Sequence, residues 1–174
     1  MSTLKVGTIQ DHTNSNTAIS IDSGGRILTP SRPMFDVAKS DTQTVSDSAI
    51  TKVTWDTVNY DIGGNFASNK FTAPVAGKYF MNAVVTFYQM AAGAALGLQW
   101  YKNGSVFRSG HNNAAEINIT FAVNSCGVFD LSANDELEVY VYQGSGSSQN
   151  IGVATNIQAV NAVGSNYWSG YLIG

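Results

Sequence analysis

Charge is what this sequence has least of. Only 12% of its 174 residues are Asp, Glu, Lys or Arg, about half the usual share, and Gly, Ser, Thr and Asn fill the gap. The net charge of −3 leaves no basic surplus to neutralise phosphates, which argues against a nucleic-acid partner. The nine Lys and Arg are scattered, which weakens any attraction to an anionic membrane. A single cysteine, Cys126, rules out a disulfide framework within one chain. Its place in "AVNSCGVFDL", opposite Phe121, Val123 and Phe129 by period 2, predicts a small buried or half-buried side chain. The two histidines, His12 and His111, lie near no cysteine, and no His-x-x-His or Cys-x-x-Cys spacing exists, so a zinc site is not indicated. No apolar run approaches the roughly 20 residues of a membrane span, and residues 1–9 lack the apolar core of a secretory signal. Helical periodicity is missing too: "MAAGAALG" is Ala-rich but short and broken by two glycines.

What remains is alternation. "KYFMNAVVTFYQM" sets Tyr79, Met81, Ala83, Val85 and Phe87 against Phe80, Asn82, Val84, Thr86 and Tyr88. "ELEVYVYQ" sets Leu137, Val139 and Val141 against Glu136, Glu138, Tyr140 and Tyr142, and "INITFAVNSCGVFDL" repeats the pattern. Asn103-Gly104 in "WYKNGSVF" is a strong hairpin signal. Further breaks fall at Gly63-Gly64, Pro74, Ala133-Asn134 and the "GSGSSQ" loop. Many short strands with regular turns predict an all-β sandwich or closed barrel.

The last nine residues, "NYWSGYLIG", carry Tyr167, Ser169, Tyr171 and Ile173 on one face and Trp168, Gly170 and Leu172 on the other. Apolar groups on both faces imply a strand covered on both sides, and Gly170 fits a place where a neighbour approaches closely. Residues 1–32 differ. Their two thin strand patterns, "LKVGTIQ" and "TAISI", carry Leu4, Val6, Ile9, Ile19 and Ile21, with Ile27 after the "SGGR" turn. These are too few for a core, so the segment must lean on something else. Pro30 and Pro33 then mark a linker.

Catalytic patterns are weak. No Gly-x-Ser-x-Gly elbow supports Ser-His-Asp chemistry. Gly24-Gly25 and Gly63-Gly64 open no helix and read as hairpin glycines rather than phosphate cradles. Asp135, Glu136 and Glu138 lie close together, and the last two share a strand face. That pair suits calcium or a general acid, but solvated strand residues are the commoner outcome. Asn103 and Asn118 match glycosylation acceptors, and without a signal peptide the matches read as coincidence. No catalytic residue, metal or cofactor is indicated.

The stretch after Pro33 resembles the complement-type, tumour-necrosis-factor-like jelly roll. "FDVAKS" from Phe35 resembles that family's opening strand. Tyr60, Asp61, Phe66, Phe71, Pro74, Gly77, Tyr79 and Phe80 match its central signature in order. "VFDLSANDELEVYV" resembles a further stretch, with Asn134 where the family usually has Gly, and "YWSGYLI" resembles the closing strand. The resemblance covers residues 33–174. It implies a ten-stranded jelly-roll sandwich forming a homotrimer, whose closing strand is central in its sheet. Tyr79, Phe80, Tyr167, Trp168, Gly170 and Tyr171 would then serve the fold and the trimer contact, with "MAAGAALGLQWY" supplying small residues there.

"TLKVGTIQD" and "NTAISIDSGGRILTP" look like openings on structural proteins of tailed bacteriophages. The expectation is therefore a non-enzymatic virion protein assembled in the host cytoplasm. Residues 1–32 would form an attachment arm for other virion proteins, and the jelly roll would act as a tail-fibre or tail-tip adhesin for a host-surface glycan or protein. Capsid decoration is the alternative, and a soluble complement-like ligand-binding module is a second.

Overall fold

The computed structural model describes residues 5–13, 15–90, 93–113, 119–152 and 166–174. Short strands come first: β1 (Thr8–Gln10), β2 (Thr17–Ile21) and β3 (Ile27–Leu28), then β4 (Met34–Ala38), β5 (Gln43–Val45) and β6 (Ala49–Lys52). β7 (Thr57–Ile62), β8 (Phe66–Ala67) and β9 (Lys70–Thr72) lead into the long β10 (Gly77–Met90) and β11 (Ala95–Lys102). β12 (Ser105–Asn113), β13 (Ile119–Leu131), β14 (Glu136–Gly144), β15 (Gln149–Ile151) and β16 (Tyr167–Leu172) complete the order. Among the described residues there is no helix, and hence none long and apolar enough to cross a membrane.

The turns follow from residue chemistry. Asn103 (φ 52°) and Gly104 (φ 77°) are both left-handed, the conformation that a two-residue hairpin turn demands, and they join β11 to β12. Ser68 (φ 53°) and Asn69 (φ 60°) do the same between β8 and β9 without a glycine. Asn134, standing where the related pattern has Gly, takes φ 69°, which Asn tolerates better than most residues.

Two sheets form the sandwich. In the first, β16 lies between β10 and β4, β7 flanks β4, and β13 runs along the other edge of β10. β15 shares β10's β16 side, at Phe87, and carries β5. In the second, the order is β12-β11-β14-β9-β8, with β6 also on β14. The closing strand is thus central and its backbone is paired on both sides. It is held further where Ile173 N donates to Lys78 O (2.7 Å) and Lys78 N to Gly174 O (2.8 Å).

Alternation places one face of each sheet inward. The core is aromatic: Phe35 stacks on Phe66 and Phe71, with centroids 5.3 and 4.8 Å away. Trp168 sets an edge to Phe35 (5.1 Å), Phe66 (5.3 Å) and Trp100 (5.7 Å). Around it lie Tyr79, Met81, Val85, Leu98, Val139 and others, all essentially without solvent contact. Buried polar groups staple the loops. Lys39 Nζ donates to Thr54 O (2.9 Å) and Oγ1 (3.1 Å) and pairs with Asp56 at 3.4 Å. Gln143 Nε2 donates to Val45 O and Ser147 O.

One expectation is corrected. Cys126 is exposed, because on β13 it shares the outer face with Asn124, Val128 and Asp130 while Val123 and Phe129 point inward. "MAAGAALGLQWY" leads into β11 of the second sheet, where Leu96, Leu98 and Trp100 enter the core, so Ala95 and Gly97 lie on a different sheet from Tyr167 and Tyr171; residues 91–92 are outside the described set.

Candidate functional site: the outer face of the first sheet

Register aligns side chains on the solvent face of β13, β10, β16, β4 and β7 into rows. One row runs Val128, Phe80, Tyr171, Met34, Ile62. The next runs Cys126, Asn82, Ser169, Asp36, Tyr60, and the third Asn124, Val84, Tyr167, Ala38, Thr57. The first row is wholly apolar or aromatic and is the one nearest residues 1–33. In it Val128, Tyr171 and Ile62 are 48%, 43% and 38% exposed, while Phe80 and Met34 are half-buried. The Phe80 and Tyr171 rings lie 5.6 Å apart. Ile173, exposed beyond Tyr171, extends the band. Contiguous apolar bands on a sheet face are where proteins commonly meet partners, which makes this face the candidate site.

The residues expected to serve fold and contact therefore divide by parity. Tyr79 and Trp168 point inward with Gly170, and Phe80, Tyr167 and Tyr171 point outward. Tyr79 Oη donates to Val75 O (2.8 Å), and burial raises its phenol pKa above the usual 10.0. Gly170 is required by the chain's own core. A Cβ there would fall on Met81 Sδ and lie 3.0 Å from Phe35 Cε1 and 3.1 Å from Phe80 O.

The arm forms a separate sheet, β1-β2-β3. Val6, Ile9 and Ile21 are exposed and Ile19 is half-buried; Leu4 lies outside the described residues. Asp22 closes the β2–β3 turn by accepting from Gly24 N, Arg26 N and Arg26 Nε, which lowers its carboxyl pKa below 3.8. Ser31 Oγ donates to Thr17 O (3.0 Å). Where the arm meets the jelly roll, a cleft of about 560 Å³ has walls that include Ala18, Thr29, Pro33, Ile62, Val75 and Leu172.

The acidic residues singled out from sequence are paired with lysines. Lys70 bonds Glu136 at 2.5 Å, Lys52 bonds Glu138, and Lys102 bonds Asp135 at 2.6 Å. Asp135 also accepts from Asn103 Nδ2 and Ser132 N. Lys102, then Asn103, hold its pKa at about 2. At Asp56 burial raises the pKa, but hydrogen bonds from Ser40 Oγ and N, Asp41 N and Thr57 Oγ1 outweigh it and bring the carboxyl to about 2. Both are structural anchors. Among the described residues no three His, Cys, Asp or Glu gather into a set able to hold a metal. His12 is exposed in the β1–β2 loop, the side chain of His111 lies outside the described set, and so does Asn118. Asn103 is engaged with Asp135 and with Glu136 N.

No protein-family model matches the chain, and no curated protein matches it. Solved structures do. The globular domain of zebrafish complement 1qA protein is 17% identical, covering 82% of this chain and 98% of its own, with a TM-score of 0.55. Murine APRIL at pH 5.0 is 12% identical, covering 82% and 99%, with a TM-score of 0.56. At such identities the likeness concerns fold alone, and the fold is that of the complement-type, tumour-necrosis-factor-like jelly roll.

Proposed function

We propose that this chain is a non-enzymatic binding module whose jelly-roll head, residues 33–174, assembles as a homotrimer through the outer face of the first sheet. The apolar row Val128, Phe80, Tyr171, Met34, Ile62 carries the reading. Its Val128, Tyr171 and Ile62 are exposed in a single chain, it crosses the central strands β10, β16 and β4, and an apolar surface meets another apolar surface around a three-fold axis without charge matching. Assembly through it leaves the second sheet and its loops to face a ligand of host-surface type, a glycan or a protein. The likeness to a complement domain and to APRIL favours binding over catalysis. Sedimentation at micromolar concentration tests the assembly, and a stable monomer removes it.

A second reading concerns location. Among the described residues no strand pairs with the outer edges of β1 and β3 in the small sheet of residues 8–28, and open edges invite strand addition by another protein. With the phage-like pattern of residues 1–32, this supports an arm joining the head to a virion, at the tail or on the capsid. The virion setting rests on that sequence pattern alone. A chain beginning at Ser31 should stay folded and trimeric but fail to enter particles. Normal incorporation would move attachment onto the jelly roll.

A further inference from the structure

The arm's registers place Ile9 opposite Ile19 and Ile21 opposite Ile27. Because Ile19 and Ile21 alternate to the same side, all four isoleucines occupy one face of the small sheet. Ile9, Ile21 and Ile27 are 51%, 42% and 70% exposed. The opposite face carries Thr8, Ala18, Ser20 and Leu28, and Ala18 lines the cleft against the jelly roll. A face dominated by four isoleucines, with Thr17 beside them, gains by being covered, since strands this few and short are marginal in water.

We infer that the cover is the same face of two other copies: the three arms close their isoleucine faces together into a three-sided β stalk beneath the heads. The inference rests on the trimeric reading of the head. Two observations select this occupant. The exposed isoleucine surface amounts to only roughly 300 Å² per chain, against about 800 Å² per partner in a standard protein interface. A patch that small does not hold a separate protein, but it suffices between arms already tethered at high effective concentration. The arm also enters the jelly roll at Met34, which is itself in the apolar row Val128, Phe80, Tyr171, Met34, Ile62. When that row is covered by neighbouring copies, the three arms leave the heads beside one another.

The test uses the full chain with Cys126→Ser, so that no native thiol competes. Ile21→Cys and, as the opposite-face control, Thr8→Cys are oxidised gently, and light scattering is run on each. The expected result is a trimeric mass for both, with chain-to-chain disulfides forming at least tenfold faster at Ile21→Cys. A separate Ile9→Thr, Ile21→Thr, Ile27→Thr variant should keep the trimeric mass while its arm becomes far more sensitive to protease. Equal cross-linking at the two positions in a trimer overturns the stalk and leaves the trimeric head standing. Arms that are protease-sensitive in the free trimer and protected only in an assembled particle assign the isoleucines to another protein and equally overturn it. A monomeric mass removes both readings.

Discussion

Trp168→Ala probes the packing of the closing strand most sharply. The indole has no solvent contact and is walled by Phe35, Phe66, Trp100 and Trp55, with centroids between 5.1 and 6.1 Å away. Phe35, Phe66 and Trp100 each pack on further rings, so the site has little means of collapsing after truncation. The loss belongs at the upper end of the range for large aromatic truncations, about 5 kcal/mol. Trp168→Phe separates packing from hydrogen bonding, because Trp168 Nε1 is buried without a partner among the described residues. Losing an unsatisfied donor offsets part of the lost volume, so the Phe variant should cost about 1 kcal/mol. With a urea m-value of about 2 kcal/mol/M, the midpoints should fall by about 2.5 M and about 0.5 M. All chains must be compared at one protein concentration, since assembly adds to apparent stability. A shift under about 0.5 M for the Ala variant, or equal shifts for both, would refute this account of the core.

Gly170→Ala should destabilise by about 2 kcal/mol through overpacking against Met81, Phe35 and the Phe80 carbonyl; Met81→Ala should cost less in the Gly170→Ala background than in the wild type, and urea midpoints of the double-mutant cycle check it. Asp56 and Asp135 have folded pKa values of about 2, below the usual 3.8. Their stabilisation is therefore complete above about pH 4 and is lost as the pH falls towards 2, about 1–2 kcal/mol each. Asp135→Asn should flatten the acid limb of a stability-versus-pH curve by about that amount; an unchanged limb contradicts the assignment.

Much of this fold is legible in the residues, because β10, β13, β14 and β16 alternate cleanly and Asn103-Gly104 announces its turn. Alternation tells which side chains share a face, not which face is covered. Cys126 shows the difference: a small thiol near Phe129 and Val128 looks buried, yet its parity is Val128's, on the outer face. Sheet assignment is hidden for the same reason: nothing in the pattern of Leu96, Leu98 and Trp100 tells that they belong to the second sheet. The Ser68-Asn69 turn lacks the glycine that normally signals it. Lys39 gave no sign of burial, since its partners Thr54 and Asp56 come from a loop whose approach only the fold determines. The outer row was partly visible in Phe80 and Tyr171, but Val128, Met34 and Ile62 join it only through strand register.

The central claim is that the row Val128, Phe80, Tyr171, Met34, Ile62 closes three copies on one another. Tyr171 lies in the middle of that row and is 43% exposed in a single chain, so Tyr171→Glu places a carboxylate at the contact with little disturbance of the core. Light scattering on the wild type and on this variant, with circular dichroism to confirm retained strand structure, is the direct measurement. The account predicts three times the 18.5 kDa chain mass for the wild type and a single chain mass for the variant; a monomeric wild type, or a folded variant that stays trimeric, would contradict it.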